Sequence, residues 1–403
     1  MENWRRNLLL LMVSQLLFRV ALTLVKPFLP LYLPELGVTA APEIAFWAGA
    51  LSSVNFLGQA LFSPIWGNLS DRYGRKAMVV RCTLAVGVFN LLMVFAGNVY
   101  QLLALRFLMG AMAGFNAAAV ALVATTTPDK HLGYAVGMIQ TGQMAGTVFG
   151  PAIGGVLAEL GGYRGSFVAA GLISLSIAPV LIFGVREDFV PSAAKRSKPP
   201  FSTGLRIVFN RPVILLMLVV IVVAQFGLQS SDSLMALYVK GLYEGEYLNL
   251  VVAGVLGTAA VANVLMAPLL GKLGDQYGSE RVLVLSLFGL ALATLPQAFV
   301  YQVGSLALLR FLSGAFTGGI LPNVQAVIGR ATPVEKRGSV FGVYASATAT
   351  GNFLGPMLGG IVAAEVGIPP VFVLTGACLL ATGLLCLVFL EKVRHDQKRS
   401  SPA

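Results

Sequence analysis

Arg19, Lys26 and Asp232 are charged side chains set inside long runs of apolar sequence. A charge in hydrocarbon costs several kcal/mol unless it is paired or wetted, so residues of this kind mark ion or solute pathways. Two further cations, Arg106 and Arg310, stand in matching hexapeptides, LRFLMG at 105–110 and LRFLSG at 309–314. An embedded carboxylate can load a proton when its cationic partner withdraws and release it when the partner returns. An embedded arginine can hold an anionic or polar solute. Asp232 is therefore a candidate for proton coupling, with Glu159 the carboxylate next in line. Arg19, Lys26, Asn116, Gln140, Gln225, Asp232 and Asn323 are candidates to line a solute cavity, although intramembrane amides serve as readily to bond one helix to the next. Other chemistry has nowhere to sit. Cys82, Cys378 and Cys386 lie apart in apolar runs, and His131 and His395 fall in a short loop and the tail. No disulfide framework, metal site, cofactor motif or activated nucleophile is indicated, and the chain reads as no enzyme.

The elements that must carry these residues follow from composition. The chain has 403 residues, 57% of them hydrophobic and 11% charged, with a mean hydropathy of +0.81. A soluble domain with that surface would aggregate, so the bilayer is the solvent. A helix crosses the hydrocarbon core in about 20 apolar residues. Apolar windows bounded by turn and charge signals place twelve such helices at 7–33, 44–66, 78–96, 100–124, 133–158, 165–185, 212–238, 247–270, 282–300, 305–329, 338–363 and 369–390. The first run is too long for the apolar core of a signal peptide and is followed by no small-residue cleavage site. On these spans Arg19 lies about 18 Å into its helix, near the midplane, and Arg106 and Arg310 lie about 9 Å in. An arginine at that depth either faces the interior or snorkels to the interface. Lys26 and Asp232 fall at nearly equal heights, about 29 and 30 Å from the start of their helices. They either pair with one another or both reach the outer interface.

Lysine and arginine set the orientation, because cytoplasmic loops carry the excess of them. Of the 28, 22 fall on one side, while Arg164 and Lys240 fall on the other. Both termini and the central loop are thus expected in the cytoplasm. The net charge of +11 fits basic loops meeting anionic lipid and calls for no nucleic-acid partner. The expected partners are the lipid bilayer, protons and a small-molecule substrate, with the chain acting as a monomer.

The sequence also repeats itself. The stretch SPIWGNLSDRYG at 63–74 returns as APLLGKLGDQYG at 267–278, an offset of 204 that the arginine hexapeptides share. GPAIGG at 150–155 returns as GPMLGG at 355–360, one residue further on. Collinear matches at one offset define two six-helix units, 1–185 and 212–390, joined by a Ser/Pro/Lys-rich linker at 186–211 and followed by a tail at 391–403. Six helices per unit give both the same orientation, related by an axis along the membrane normal, with a cavity between them.

The segment after the second span carries Gly67, Asp71, Arg72, Gly74, Arg75 and Lys76 and reads as a tight loop, the glycines permitting the turn and Asp71 placed to meet a helix dipole. Its second copy keeps Gly271, Asp275 and Gly278 but has Gln276, Ser279 and Glu280 where cations stood. This loop resembles the signature of the major facilitator superfamily. The resemblance extends over nearly the whole chain and implies an all-α membrane fold of twelve helices in two six-helix halves. Leu102-x-x-x-Arg106-x-x-x-Gly110 is similar to the family's fourth-helix signature, whose arginine is associated with proton transfer, and the resemblance adds Arg106 and its repeat partner Arg310 to the candidates for proton coupling. Gly146, Gly150, Pro151, Gly154 and Gly155 resemble the fifth-helix motif of its antiporters, chiefly drug:proton exporters, and the overall texture is closest to bacterial multidrug exporters.

What the resemblance implies is a secondary active transporter that exports small amphipathic compounds in exchange for protons by alternating access. The loop from Gly67 to Lys76 would act as the conformational switch. An exporter or flippase dedicated to one metabolite, sugar or lipid is the alternative, and a receptor on a transporter scaffold a third. One departure bears on the solute. Exporters of lipophilic cations in this family commonly carry a carboxylate in the first helix, where this chain carries Arg19 and Lys26, so neutral, zwitterionic and anionic solutes have equal standing.

Accessibility tags placed at the N-terminus, at the C-terminus and near Lys195 are expected to report cytoplasm at all three positions. A periplasmic signal from any of them overturns the six-plus-six topology.

Overall fold

The computed structural model describes residues 3–187, 201–333 and 336–400; the centre of the expected linker, the last three residues and the side chain of Asp71 lie outside them. Helix accounts for every regular element among the described residues, as hydrocarbon requires of a chain that must satisfy its backbone internally. In chain order the helices are α1 Asn3–Val25, α2 Ala41–Tyr73, α3 Arg75–Met93, α4 Val99–Ala111, α5 Phe115–Thr126, α6 Leu132–Pro179, α7 Phe201–Phe209, α8 Pro212–Leu242, α9 Leu248–Tyr277, α10 Ser279–Thr294, α11 Val303–Thr317, α12 Ile320–Ala331, α13 Arg337–Val366 and α14 Pro369–Ser400.

Among the described residues ten stretches are long and apolar enough to cross a membrane. One of them, Leu132–Gly184, runs 53 residues and is broken at Gly162, whose φ of 66° and ψ of 178° are not helical. It therefore holds two of the predicted spans. The eleventh predicted span is α13, whose Ser, Thr and Gly content keeps it out of the apolar set. The all-helical membrane fold read from sequence is thus the fold observed.

Several boundaries differ from expectation for local reasons. The first span does not run straight to residue 33. Pro27, Pro30 and Pro34 each remove a backbone donor, and the chain after Val25 breaks into short turns, Lys26–Phe28, Leu29–Tyr32 and Leu33–Leu36. The fourth span is split at Gly114, with φ 130°, into α4 and α5. The expected linker contains a helix, α7. The largest correction concerns the signature segment, which is not a loop: α2 continues through Gly67 and Asp71 to Tyr73, and the chain reverses at Gly74 alone. Gly278 does the same between α9 and α10. Both take positive φ, 91° and 99°, a region closed to most side chains, so one residue suffices where a loop was expected.

The described residues divide into two compact units, one running to 187 and taking in Met235–Gly257, the other running from 201 to Leu234 and onward from Thr258. Within the first, α1 lies on a glycine face of α6. A Cβ at Gly142 would stand 2.6 Å from the Met12 carbonyl oxygen, and one at Gly146 would stand 2.6 Å from both Arg19 Cβ and the Leu16 carbonyl oxygen. Gly150 and Gly154 are closed in the same way by Thr23 and by the Leu24 carbonyl. In the second unit α8 lies on α13 likewise: a Cβ at Gly351 would meet the Val222 carbonyl oxygen at 2.6 Å, and one at Gly355 the Phe226 carbonyl oxygen at 2.5 Å. Small residues let two backbones approach where lipid supplies no hydrophobic drive.

Replacing Gly150 by Leu forces α1 off α6, because the added atoms have backbone and Thr23 in their way. Overpacking of this kind costs typically about 1–3 kcal/mol or more. The expected outcome is a lower thermal unfolding midpoint in detergent and reduced monodisperse yield, while Gly137→Leu, where a Cβ meets nothing within 4 Å, leaves both near wild type.

Candidate substrate and proton sites

The contact at Gly146 is what places Arg19, since the helix backbone passes directly beside the arginine's Cβ. Arg19 Nε donates at 2.9 Å to Thr147 Oγ1, the next residue along α6, and Thr147 Oγ1 in turn donates to the Gln143 carbonyl at 3.0 Å. Four residues before Arg19, on the same face of α1, is Gln15. It is 2% exposed, and its Nε2 donates to Asn116 Oδ1 of α5 and to Gln143 Oε1 of α6, both at 3.3 Å. Thr23 donates to the carbonyls of Arg19 and Gly146, tying the two helices together above the cluster. Two of the predicted cavity residues, Arg19 and Asn116, thus belong to one hydrogen-bonded group with Gln15, Gln143 and Thr147. Gln140 stands one turn earlier on the same side of α6, half-buried. The second unit offers no matching cation: the residue under Gly351 is Gln225, its Cβ 2.8 Å from where a glycine Cβ would be.

The repeat-related arginines face inward, Arg106 and Arg310 each being 5% exposed, and neither snorkels to the interface. Their partners differ. Arg310 Nη2 donates to Asp232 Oδ1 in a short ion pair between α11 and α8. The arginine side chain is 6% exposed and the aspartate side chain 34%, so the carboxylate is the more exposed member of the pair. Arg106 has no acid among the described residues; its Nε donates to the Leu51 carbonyl at 3.3 Å, and Asn55 donates to its own carbonyl at 3.1 Å. Spacing from helix starts pointed to Lys26 as the partner of Asp232. The side chain found on it is Arg310, and Lys26 sits over the Phe56 ring at 5.6 Å from its centroid.

Two other candidates have structural employment. Glu159 Oε1 accepts from the backbone N–H of Asn249 at 2.7 Å, in the first turn of α9, where four amide donors lack intrahelical partners and the dipole favours a negative charge. Asn323 is 1% exposed and spends both amide hydrogens on the carbonyls of Leu270 and Gly319. It packs helices and lines no cavity.

At the signature segment the acid doing the visible work is Glu187. Its two carboxylate oxygens accept from the backbone N–H groups of Arg75 at 3.0 Å and Lys76 at 2.8 Å, capping α3, while Lys76 Nζ donates to the Ile182 carbonyl at 2.8 Å. Beside it the Arg81 guanidinium stacks 3.4 Å over the Trp66 ring. Gln15, Gln143 and Thr147 carry a readable signal, an i, i+4 polar stripe beside an embedded cation. Glu187 carries almost none, since it stands between Arg186 and Asp188 with no motif around it and its target is distant in sequence.

An all-helical membrane fold with repeat-related glycine faces and embedded ionisable groups is that of a polytopic transporter. The chain belongs to the Major Facilitator Superfamily, whose family model matches residues 11–262 and 246–403. It is similar to multidrug resistance protein MdtG of Yersinia enterocolitica, at 37% identity over 395 residues covering 97% of this chain and 94% of the relative. To MdtG of Escherichia coli it is 36% identical over 399 residues, covering 98% and 97%. Among solved structures it resembles a bacterial homologue of the human lysosomal transporter Spinster in an inward-facing, occupied conformation, with TM-score 0.78, 17% identity and 98% of both chains covered. A D-xylose–proton symporter matches with TM-score 0.78 at 15% identity, covering 96% and 97%.

Replacing Glu187 by Ala leaves the first amides of α3 without their acceptor, a loss of about 1 kcal/mol by the measure of other helix caps. The thermal midpoint in detergent is expected to fall, and Glu187→Gln, which keeps one acceptor oxygen, is expected to recover part of it. Equal midpoints for all three proteins would remove the cap from the account.

Proposed function

We propose that this protein exports small amphipathic compounds across a bacterial inner membrane in exchange for protons, working as a monomer by alternating access between the six-helix halves 1–185 and 212–390. Full-length similarity to proteins named for multidrug resistance supports export of drug-like compounds. The observation that carries the coupling is the Asp232–Arg310 pair, a carboxylate at the accessible end of an ion pair whose cation is buried.

The coupling runs through the strength of that pair. With Asp232 ionised, Arg310 is neutralised in place. When a proton reaches Asp232 the pair is broken and a buried guanidinium is left uncompensated, which is strongly unfavourable. Protonation therefore favours whichever conformation gives Arg310 another acceptor or water, and return of the pair expels the proton on the other side. Arg106, lacking an acid, contributes a fixed charge to the opposite half. Asp71 at the end of α2, together with Arg72, Arg75 and Lys76, is assigned the switch between conformations, and the second copy, with its cations replaced, the lesser part.

In everted vesicles under an imposed pH gradient, Asp232→Asn is expected to abolish gradient-driven transport while ligand-induced thermal stabilisation of the purified protein persists, because only the folded state binds. Transport by the variant at the wild-type rate sinks the assignment and moves attention to Arg106 and Glu159.

A further inference from the structure

We infer that the first unit carries a binding site for a phospholipid with an anionic headgroup, of the phosphatidylglycerol type. Its acyl chains lie along the lipid-facing side of α3, and its phosphate is met by Lys76 and Arg81. The site stands apart from the export reading above and does not depend on it.

A cleft of about 760 Å³ follows α3 from Lys76 to Phe89, closed on one side by Ile182 and Glu187 beyond the end of α6 and on the other by Met112 at the end of α4. Most of its wall is apolar, and Leu84, Val88 and Ile182 are exposed along it. Exposed apolar surface of that kind on a spanning helix is covered by acyl chains. The charged residues, Lys76, Arg81 and Glu187, also line the cleft. Glu187 is already answered, since both its oxygens accept from the backbone N–H groups of Arg75 and Lys76, at a helix N-terminus that favours negative charge. The two cations are met by neutral groups only: Lys76 Nζ donates to the Ile182 carbonyl, and Arg81 Nη2 to the carbonyls of Met112 and Ala113. Among the described residues neither has an acid partner, and Arg81 Nε and Nη1 have no acceptor of any kind. The Trp66 ring, stacked on the guanidinium, holds that charge in place. A phosphodiester brings one negative charge and two free oxygens, which a lysine and an arginine lining one cleft can share. An ethanolamine headgroup would add an ammonium whose acceptor, Glu187, is in use. On the orientation set by lysine and arginine this end of α3 meets the cytoplasmic leaflet, which attracts basic segments because its lipids are anionic. The corresponding positions of the second unit, at the offset of 204, hold Glu280 and Leu285 in place of Lys76 and Arg81, so the site belongs to one half.

The test uses full-length protein, delipidated in detergent, and four probes: palmitoyl-oleoyl phosphatidylglycerol, the matching phosphatidylethanolamine and phosphatidylcholine, and glycerol 1-phosphate, which has the anion without the chains. The concentration that gives half-maximal thermal stabilisation measures binding of each. Wild type is expected to bind phosphatidylglycerol more tightly than either other lipid and to show no stabilisation by glycerol phosphate. Lys76→Gln and Arg81→Gln are each expected to weaken phosphatidylglycerol binding about tenfold, the scale of a charge-assisted hydrogen-bonded pair, and phosphatidylcholine binding by less than about twofold. Arg81 also bonds the end of α4, so Ala77→Trp serves as a second variant: it fills the cleft from an exposed lining position and keeps both cations. It too is expected to weaken phosphatidylglycerol binding. Arg330→Gln, which removes an exposed cation at the end of α12, is expected to bind as wild type does. The inference is overturned if glycerol phosphate stabilises as well as phosphatidylglycerol does, or if either other lipid binds as tightly. It is equally overturned if monodisperse Ala77→Trp protein binds phosphatidylglycerol as wild type does, or if Arg330→Gln weakens binding as much as Arg81→Gln, which would reduce the effect to general attraction between basic loops and anionic lipid.

Discussion

How closely α1 can approach α6 decides most of what is polar in this protein. In lipid no hydrophobic drive brings helices together, and association depends on packing and hydrogen bonds that require near contact. The glycines of α6 allow that contact, with Gly146 against Arg19 and Gly142 against Met12. Once α1 is seated, Thr23 reaches the Gly146 carbonyl, Arg19 reaches Thr147, and Gln15 spans to both Asn116 and Gln143. A side chain in place of any of these glycines would separate donors from acceptors that have no water to fall back on. Packing and polar chemistry are therefore one constraint.

The two repeat-related parts use the same scaffold for different electrostatics. Arg106 and Arg310 stand in matching hexapeptides and are each 5% exposed, yet among the described residues one donates to the Leu51 carbonyl and the other to a carboxylate. The glycine faces likewise hold an arginine in one unit and a glutamine in the other. A duplicated fold supplies positions, and single substitutions then give them different partners. An arginine keeps its charge at any physiological pH, so the two sites differ in whether a carboxylate stands against that charge among the described residues.

Much of this was legible in the sequence. Apolar windows located the spans, and the offset of 204 identified which arginines and glycines correspond, because helix length and close packing are written in local composition. Three things were less legible. The length of α2 through the signature segment was hidden by its polar residues, which read as loop although each is compatible with helix; only Gly74 and Gly278 break it. Partner choice was hidden as well, since height along a helix says nothing of which way a side chain faces: Asp232 turned to Arg310 on α11, and Asn323 turned into the packing. The caps made by Glu159 and Glu187 were out of reach because each joins a carboxylate to a helix end tens of residues away or more.

The guanidinium of Arg19, with no acid partner among the described residues, also has an electrical consequence. A guanidinium keeps its charge at any physiological pH, so a displacement of α1 along the membrane normal carries that charge with it. Each elementary charge carried across the membrane potential is worth about 2.3 kcal/mol per 100 mV. The membrane potential therefore acts directly on the position of α1.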